Sequence, residues 1–172
     1  MNEVIRSMIE RRSCRKFQDR QVDEAALQEI LEAGTYAASG MGRQSPILVA
    51  VQDPEQVALL SKLNAAVMGS DKDPFYGAPM VVVVLADSSV RTCIEDGSLV
   101  IGNLMLAAST LGVASCWIHR AREVFRGEEG KALLKQWGLD EKYEGIGHCI
   151  LGYRDGEKPE PPARKPGRIL RV

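Results

Sequence analysis

The sequence predicts a single α/β domain, and three observations carry that reading. Four apolar, β-prone runs, 47–51, 80–85, 114–118 and 146–151, are separated by segments with helical periodicity and capping residues. At 172 residues and 18.8 kDa the chain fits one ordinary domain, which buries roughly 70% of the surface its unfolded form exposes. Apolar residues at 45% and charged residues at 26% match the averages of globular proteins, which excludes a disordered or fibrous class.

Each element has its own signal. Val4, Ile5, Met8 and Ile9 recur at helical spacing over 2–10, and the pattern breaks at the basic run that follows. Asp23 is placed to cap a second helix through Ala26, Leu27, Ile30 and Leu31, and Gly34 stands where a left-handed C-cap belongs. After a loop of small and polar residues from Ala37 to Pro46, the first strand covers 47–51. Asp53-Pro54-Glu55-Gln56 combines a capping Asp with Pro at the first helical position, opening a helix through Val57, Leu60 and Leu63. Residues 64–76 carry no clear period. The run 80–85 is apolar on both alternating faces, as a strand covered on both sides must be, and is expected at the centre of the sheet. The segment 96–111 is a nearly all-apolar helix closed by Gly112, which suggests burial within the molecule or between subunits. A strand over 114–118, a helix over 128–137 ended by Gly138, and a strand over 146–151 broken by Gly147 complete the domain. Residues 154–172 form a charged, proline-rich tail ending in Ile169-Leu170-Arg171-Val172, an apolar tip that needs a strand to pair with.

Bulk charge excludes several partners. With 22 basic and 23 acidic side chains the net charge is −1, so no global field draws the chain to nucleic acid or an anionic membrane. No basic-then-apolar leader opens the chain and no apolar run reaches the roughly 18 residues of a membrane span, so a cytoplasmic location is expected. Cys14, Cys93, Cys116 and Cys149 lack both CxxC pairing and a nearby His, which argues against a metal site and reads as four buried thiols. His119 and His148 are the only histidines and have no triad spacing. Neither GxSxG nor the phosphate loop GxxxxGK[ST] occurs, so no catalytic side chain is assigned. Chemistry in such a chain falls to a cofactor that brings its own reactivity.

The strongest local feature is Arg11-Arg12-Ser13-Cys14-Arg15-Lys16, four cations and a hydroxyl in six residues at a helix-to-loop junction. Guanidinium groups bind phosphate oxygens bidentately and Ser adds a short hydrogen bond, so the cluster suits a phosphate dianion. A solvated basic turn that offsets the helix dipole explains it equally well on composition alone. Gly40-Met41-Gly42-Arg43-Gln44-Ser45 has glycines spaced like a dinucleotide fingerprint, but it follows a helix and precedes a strand, the reverse of what that mechanism requires.

Taken in order, these segments resemble the nitroreductase family of flavoproteins. The matching motifs are Arg11-Arg12-Ser13-Cys14-Arg15-Lys16-Phe17, the loop from Ala37 to Pro46, Ala78-Pro79, the stretch from Asn103 to Ile118, and a late Gly152-Tyr153 followed by Arg164-Lys165. The resemblance implies an α+β fold, with a central mixed sheet of about four strands flanked by helices. A fifth strand would come from the C-terminal tail of a dimer partner. It implies FMN as cofactor, NADH or NADPH as donor, and a homodimer with the flavin at the subunit interface. Carried over residue by residue, Arg11, Arg12, Ser13 and Arg15 would meet the FMN phosphate and ribityl chain, with Arg164 and Lys165 closing from the tail. Ser39, Gly40 and Gln44 would face the ring, Ser39 and Gly40 from the partner. Ser115, Cys116, Trp117 and Ile118 would run beside the cofactor, and Asn64 would meet the flavin edge. Gly42 and Ile47 stand where the family pattern has Asn and Trp, which leaves the electron acceptor open among nitroaromatics, quinones and related compounds. A specialised flavin-dependent dehydrogenase or dehalogenase, or a non-catalytic flavin-binding protein, would share the same motifs.

Overall fold

A computed structural model describes residues 1–172. In chain order the elements are α1 (Glu3–Glu10), α2 (Glu24–Thr35), a short 3-10 turn (Gly40–Gly42), β1 (Pro46–Val51), α3 (Pro54–Met68), β2 (Met80–Asp87), α4 (Cys93–Thr110), β3 (Ala114–Ile118), α5 (Ala121–Arg126), α6 (Glu128–Gln136) and β4 (Tyr143–Gly152). The four strands lie in the order β1-β2-β4-β3. All three pairings are antiparallel, where a mixed sheet was expected, and parallel geometry is confined to an isolated bridge between Ser13 and Ser115. No helix is long and apolar enough to cross a membrane.

The double-sided apolar pattern of 80–86 has a direct outcome. Met80, Val82, Val84 and Ala86 pack with α2 and α4 in one core cluster, while Val81, Val83 and Leu85 pack with α3, α5 and α6 in another. The sheet is therefore the middle layer of three. Gly147 lies opposite Val84 and leaves room for the Trp117 indole and Ile101, whose atoms a Cβ there would overlap.

Three local expectations are corrected. Gly34 is no C-cap: α2 continues past it, and the glycine lets α2 approach Leu104 of α4. Asp23 precedes α2 but its carboxylate makes no cap bond, because Tyr153 Oη donates to it at 2.8 Å and Arg20 bonds it as well. Asp53 does cap α3, accepting from Gln56 N at 2.9 Å, and the helix runs five residues beyond Leu63 to Met68 before Gly69 ends it in a left-handed turn. Helix α5 was not anticipated, since six residues carry too little periodicity to stand out.

Candidate functional site

The chain leaving α1 docks onto the outer edge of β3. Cys14 N donates to the Ser115 carbonyl at 2.9 Å, which turns the Ser115 backbone away from β4. By strand alternation Trp117 also turns its N–H outward, so the edge beyond Ser13 stays open to a ligand. Ser115 and Cys116 are buried and face opposite sides of the sheet, and Ile118 is buried with Cys116 on the α5 side. The expected contribution of 115–118 is thus the backbone of an edge strand.

The basic cluster divides once folded. Arg11 is half-buried, and its Nη1 is fully buried without an acceptor. Its charge reaches Cys149: burial and the neighbouring Cys116 push that thiol up to about 12, with Arg11 opposing the shift. Arg12 turns back to cap α1, donating from Nε to the Glu10 carbonyl at 3.2 Å and from Nη2 to the Ile9 carbonyl. Arg15 lies over the Tyr76 ring, 5.9 Å from its centroid, and Lys16 pairs with Asp155 at 2.6 Å. Arg11 and Ser13 are therefore the members whose side chains no ion pair, helix carbonyl or aromatic ring takes up.

The loop expected to face the ring lies elsewhere in the same chain. Gly40 N donates to Asp96 Oδ1 at 2.9 Å, Ser45 Oγ to Asp96 Oδ2 at 3.2 Å, and Gln44 N to Ser39 Oγ at 3.0 Å. Asp96 of α4, 3% exposed and also bonded by Thr92 Oγ1, anchors this loop. Met41 and Gln44 take positive φ of 56° and 49°. Ser39 and Gln44 border a cavity of about 560 Å³ shared with α2, Leu48 and Val100. The bonds of this loop run to α4, to α2, to Asp87 at the end of β2 or within itself, and none reaches the Arg11–β3 region. Arg164 bonds only the Pro162 carbonyl, and it and Lys165 are exposed on the tail.

Asn64 is wholly buried on α3, with its amide engaged by His119, His148 and Arg120. Nothing in the sequence marked Asp96 or Arg120: Gly40 and Ser45 lie 56 and 51 residues from Asp96, and Asn64 lies 56 from Arg120.

These residues fit FMN on one observation above others. A buried guanidinium nitrogen without an acceptor costs free energy unless an anion meets it. Here it belongs to the residue two before Ser13, whose backbone bridges to the edge strand β3, and together they make a donor set suited to a phosphate ester.

Comparison with known proteins agrees. The model of the nitroreductase family matches residues 8–73 and 68–153. A protein of Archaeoglobus fulgidus, named provisionally as an NADH dehydrogenase/NAD(P)H nitroreductase, is 30% identical over 164 residues, covering 92% of this chain and 89% of its own length. An FMN reductase of Bacillus subtilis that uses NAD(P)H is 29% identical over 139 residues, 71% of this chain and 56% of that protein. Among solved structures, the FMN-bound nitroreductase of Bacteroides fragilis superposes with a TM-score of 0.91 at 31% identity, covering 100% of both chains. That of Desulfitobacterium hafniense, also with FMN, gives 0.89 at 28% identity over 100% and 99% of the two chains. With the family model spanning most of its length and a relative 30% identical over 92% of it, the chain belongs to the nitroreductase family.

Proposed function

We propose that this protein is an FMN-dependent NAD(P)H oxidoreductase that reduces small acceptors, nitroaromatics or quinones among them, and works as a homodimer. The observation that carries this reading is the buried, acceptor-less Nη1 of Arg11 beside Ser13 and the open edge of β3. FMN, when bound, supplies the two-electron redox chemistry that no side chain of this protein offers.

The protein's own part is binding and orientation. Arg11 and Ser13 hold the phosphate, and the outward backbone of β3 lines the groove beyond them. Arg164 and Lys165 approach from the tail, and the Asp96-anchored loop with Ser39, Gly40 and Gln44 comes from the partner subunit. That division explains why one chain holds its basic cluster and its ring-facing loop on separate walls. A shallow site formed this way admits donor and acceptor in turn to the same space, so ping-pong kinetics are expected, with selection by fit more than by hydrogen-bond readout.

The test is to purify the protein, load it with FMN, add NADH or NADPH without oxygen and then supply an acceptor. Rapid bleaching with one donor and recovery of the yellow band with nitroaromatic or quinone support the reading. Bound flavin that stays oxidised with both donors would leave a flavin-binding protein without reductase activity. Arg11→Ala is expected to weaken FMN binding at least tenfold, as the loss of a charge-assisted contact worth about 1.5–3 kcal/mol implies; unchanged affinity would remove Arg11 from the phosphate site.

A further inference from the structure

A polar cluster lies buried where β3 ends. Asn64 Nδ2 donates to the His119 carbonyl at 2.7 Å and stands 3.3 Å from His148 Nδ1, while Asn64 Oδ1 accepts from Arg120 Nε at 3.0 Å. The carbonyl can only accept and the guanidinium only donate, so chemistry fixes the amide's orientation. His148 is wholly buried between Phe75 and Phe125 and stays neutral, with its pKa driven down to about 3 by burial first and by the Arg120 charge second. Its Nδ1 is then the acceptor for the second amide hydrogen. Asn64 has no donor left for a flavin; it is spent on Arg120 and the turn that follows β3.

Arg120 holds φ at +74°, a left-handed conformation that costs a residue with a side chain and persists only where its surroundings impose it. The residue is half-buried, and it forms no ion pair with a carboxylate. β3 ends at Ile118, and Arg120 follows two residues later at the far end of the strand from Ser115, where Ser13 docks. The Arg11–Ser13 cluster and Arg120 thus stand toward opposite ends of one strand edge.

We propose that Asn64 is a positioning residue that holds the Arg120 guanidinium at the ring end of the FMN groove, where its charge favours the reduced, anionic cofactor over the oxidised one. This inference rests on the FMN reading above. A hydride from the nicotinamide donor carries two electrons and one proton, so a ring that accepts it gains one negative charge until a second proton arrives. A fixed cation in a partly dry site stabilises that charge without having to reorganise.

The experiment measures the midpoint potential of bound FMN, with oxidised-FMN affinity and thermal unfolding as companions. Arg120→Gln keeps an amide N–H at the Nε position and removes the charge. It is expected to cut the preference for reduced over oxidised FMN about tenfold, lowering the potential by about 30 mV for a two-electron couple. Arg120→Lys should restore most of that loss. Asn64→Leu should shift the potential the same way as Arg120→Gln if it folds, and Arg120→Gly, free to adopt the positive φ, removes the charge without backbone strain and should shift it likewise. If Arg120→Gln and Arg120→Gly both retain FMN at the wild-type potential, the cation has no bearing on the ring and this inference fails while the FMN reading stands. A wild-type chain that cannot be loaded with FMN overturns both.

Discussion

His148 pairs across the sheet with Val83 and Ile118, and its ring packs against Phe75 and Phe125 with no exposed surface. Because the folded state holds it neutral down to about pH 3 while the unfolded chain takes up a proton near the ordinary 6.5, its contribution to folding stability is constant above that value. It then declines as the pH falls below it, by about 1.4 kcal/mol per pH unit for one proton, until the folded-state value is reached. The carboxylates with resolved shifts, Asp23 held down by Tyr153 and Arg20 and Asp87 held to about 2 chiefly by Ser89, lose their contribution only in more acid solution. Urea unfolding at pH 7.5, 6 and 5 should therefore show a progressive loss that His148→Gln abolishes; a flat wild-type profile would mean the ring is solvated or protonated when folded. The basic cluster at Arg11–Ser13 is legible in the sequence because its residues are neighbours. Asp96 and Arg120 are not, because each acquires meaning only from a partner on a different element.

Elements were legible where their signals are local. The strand over 80–85 and the Asp53-Pro54 start of α3 are written in consecutive residues, and both stand where the pattern puts them. Helix ends decided by tertiary contact were not: Gly34 has the identity of a C-cap but serves as a point of close approach between α2 and α4. A side chain at Gly34 would bring its Cβ within 2.7 Å of Leu104 Cδ2 and 3.4 Å of Leu48 Cδ1. Leu104 is fully buried in the core with Ile30 and Val100, so it can give way only by disturbing packed neighbours. Intrinsic propensity favours Ala over Gly in a helix by about 1 kcal/mol, and overpacking a core costs about 1–3 kcal/mol. The packing term wins on these magnitudes. Gly34→Ala should be destabilising by roughly 1 kcal/mol in chemical denaturation, and a gain in stability would show that α2 and α4 separate freely.

At the scale of the molecule, one chain leaves too much apolar surface uncovered for a finished structure. Val4, Ile5, Met8 and Ile9 on α1 are each about half exposed, Leu99 and Ile94 of α4 nearly so, and Ile169, Leu170 and Val172 at the tail tip are almost fully open. The buried-helix pattern of α4 hinted at a subunit contact, but no sequence period says which surfaces meet, so the assembly was the least legible level. In the dimer we propose, α1 and α4 pack across the interface and the tail reaches the partner's sheet, bringing Arg164 and Lys165 to a phosphate held by the other chain's Arg11. Tail and cofactor should then fail together. Deleting Gly167–Val172 leaves the folded core of the domain intact, since nothing beyond Asp155 is buried against it. By light scattering and gel filtration, the truncated chain should dissociate at protein concentrations at least tenfold higher than the full chain and lose FMN on the column. If the full chain is instead a monomer that retains stoichiometric FMN, the groove at β3 is complete without a partner and the dimeric site is wrong.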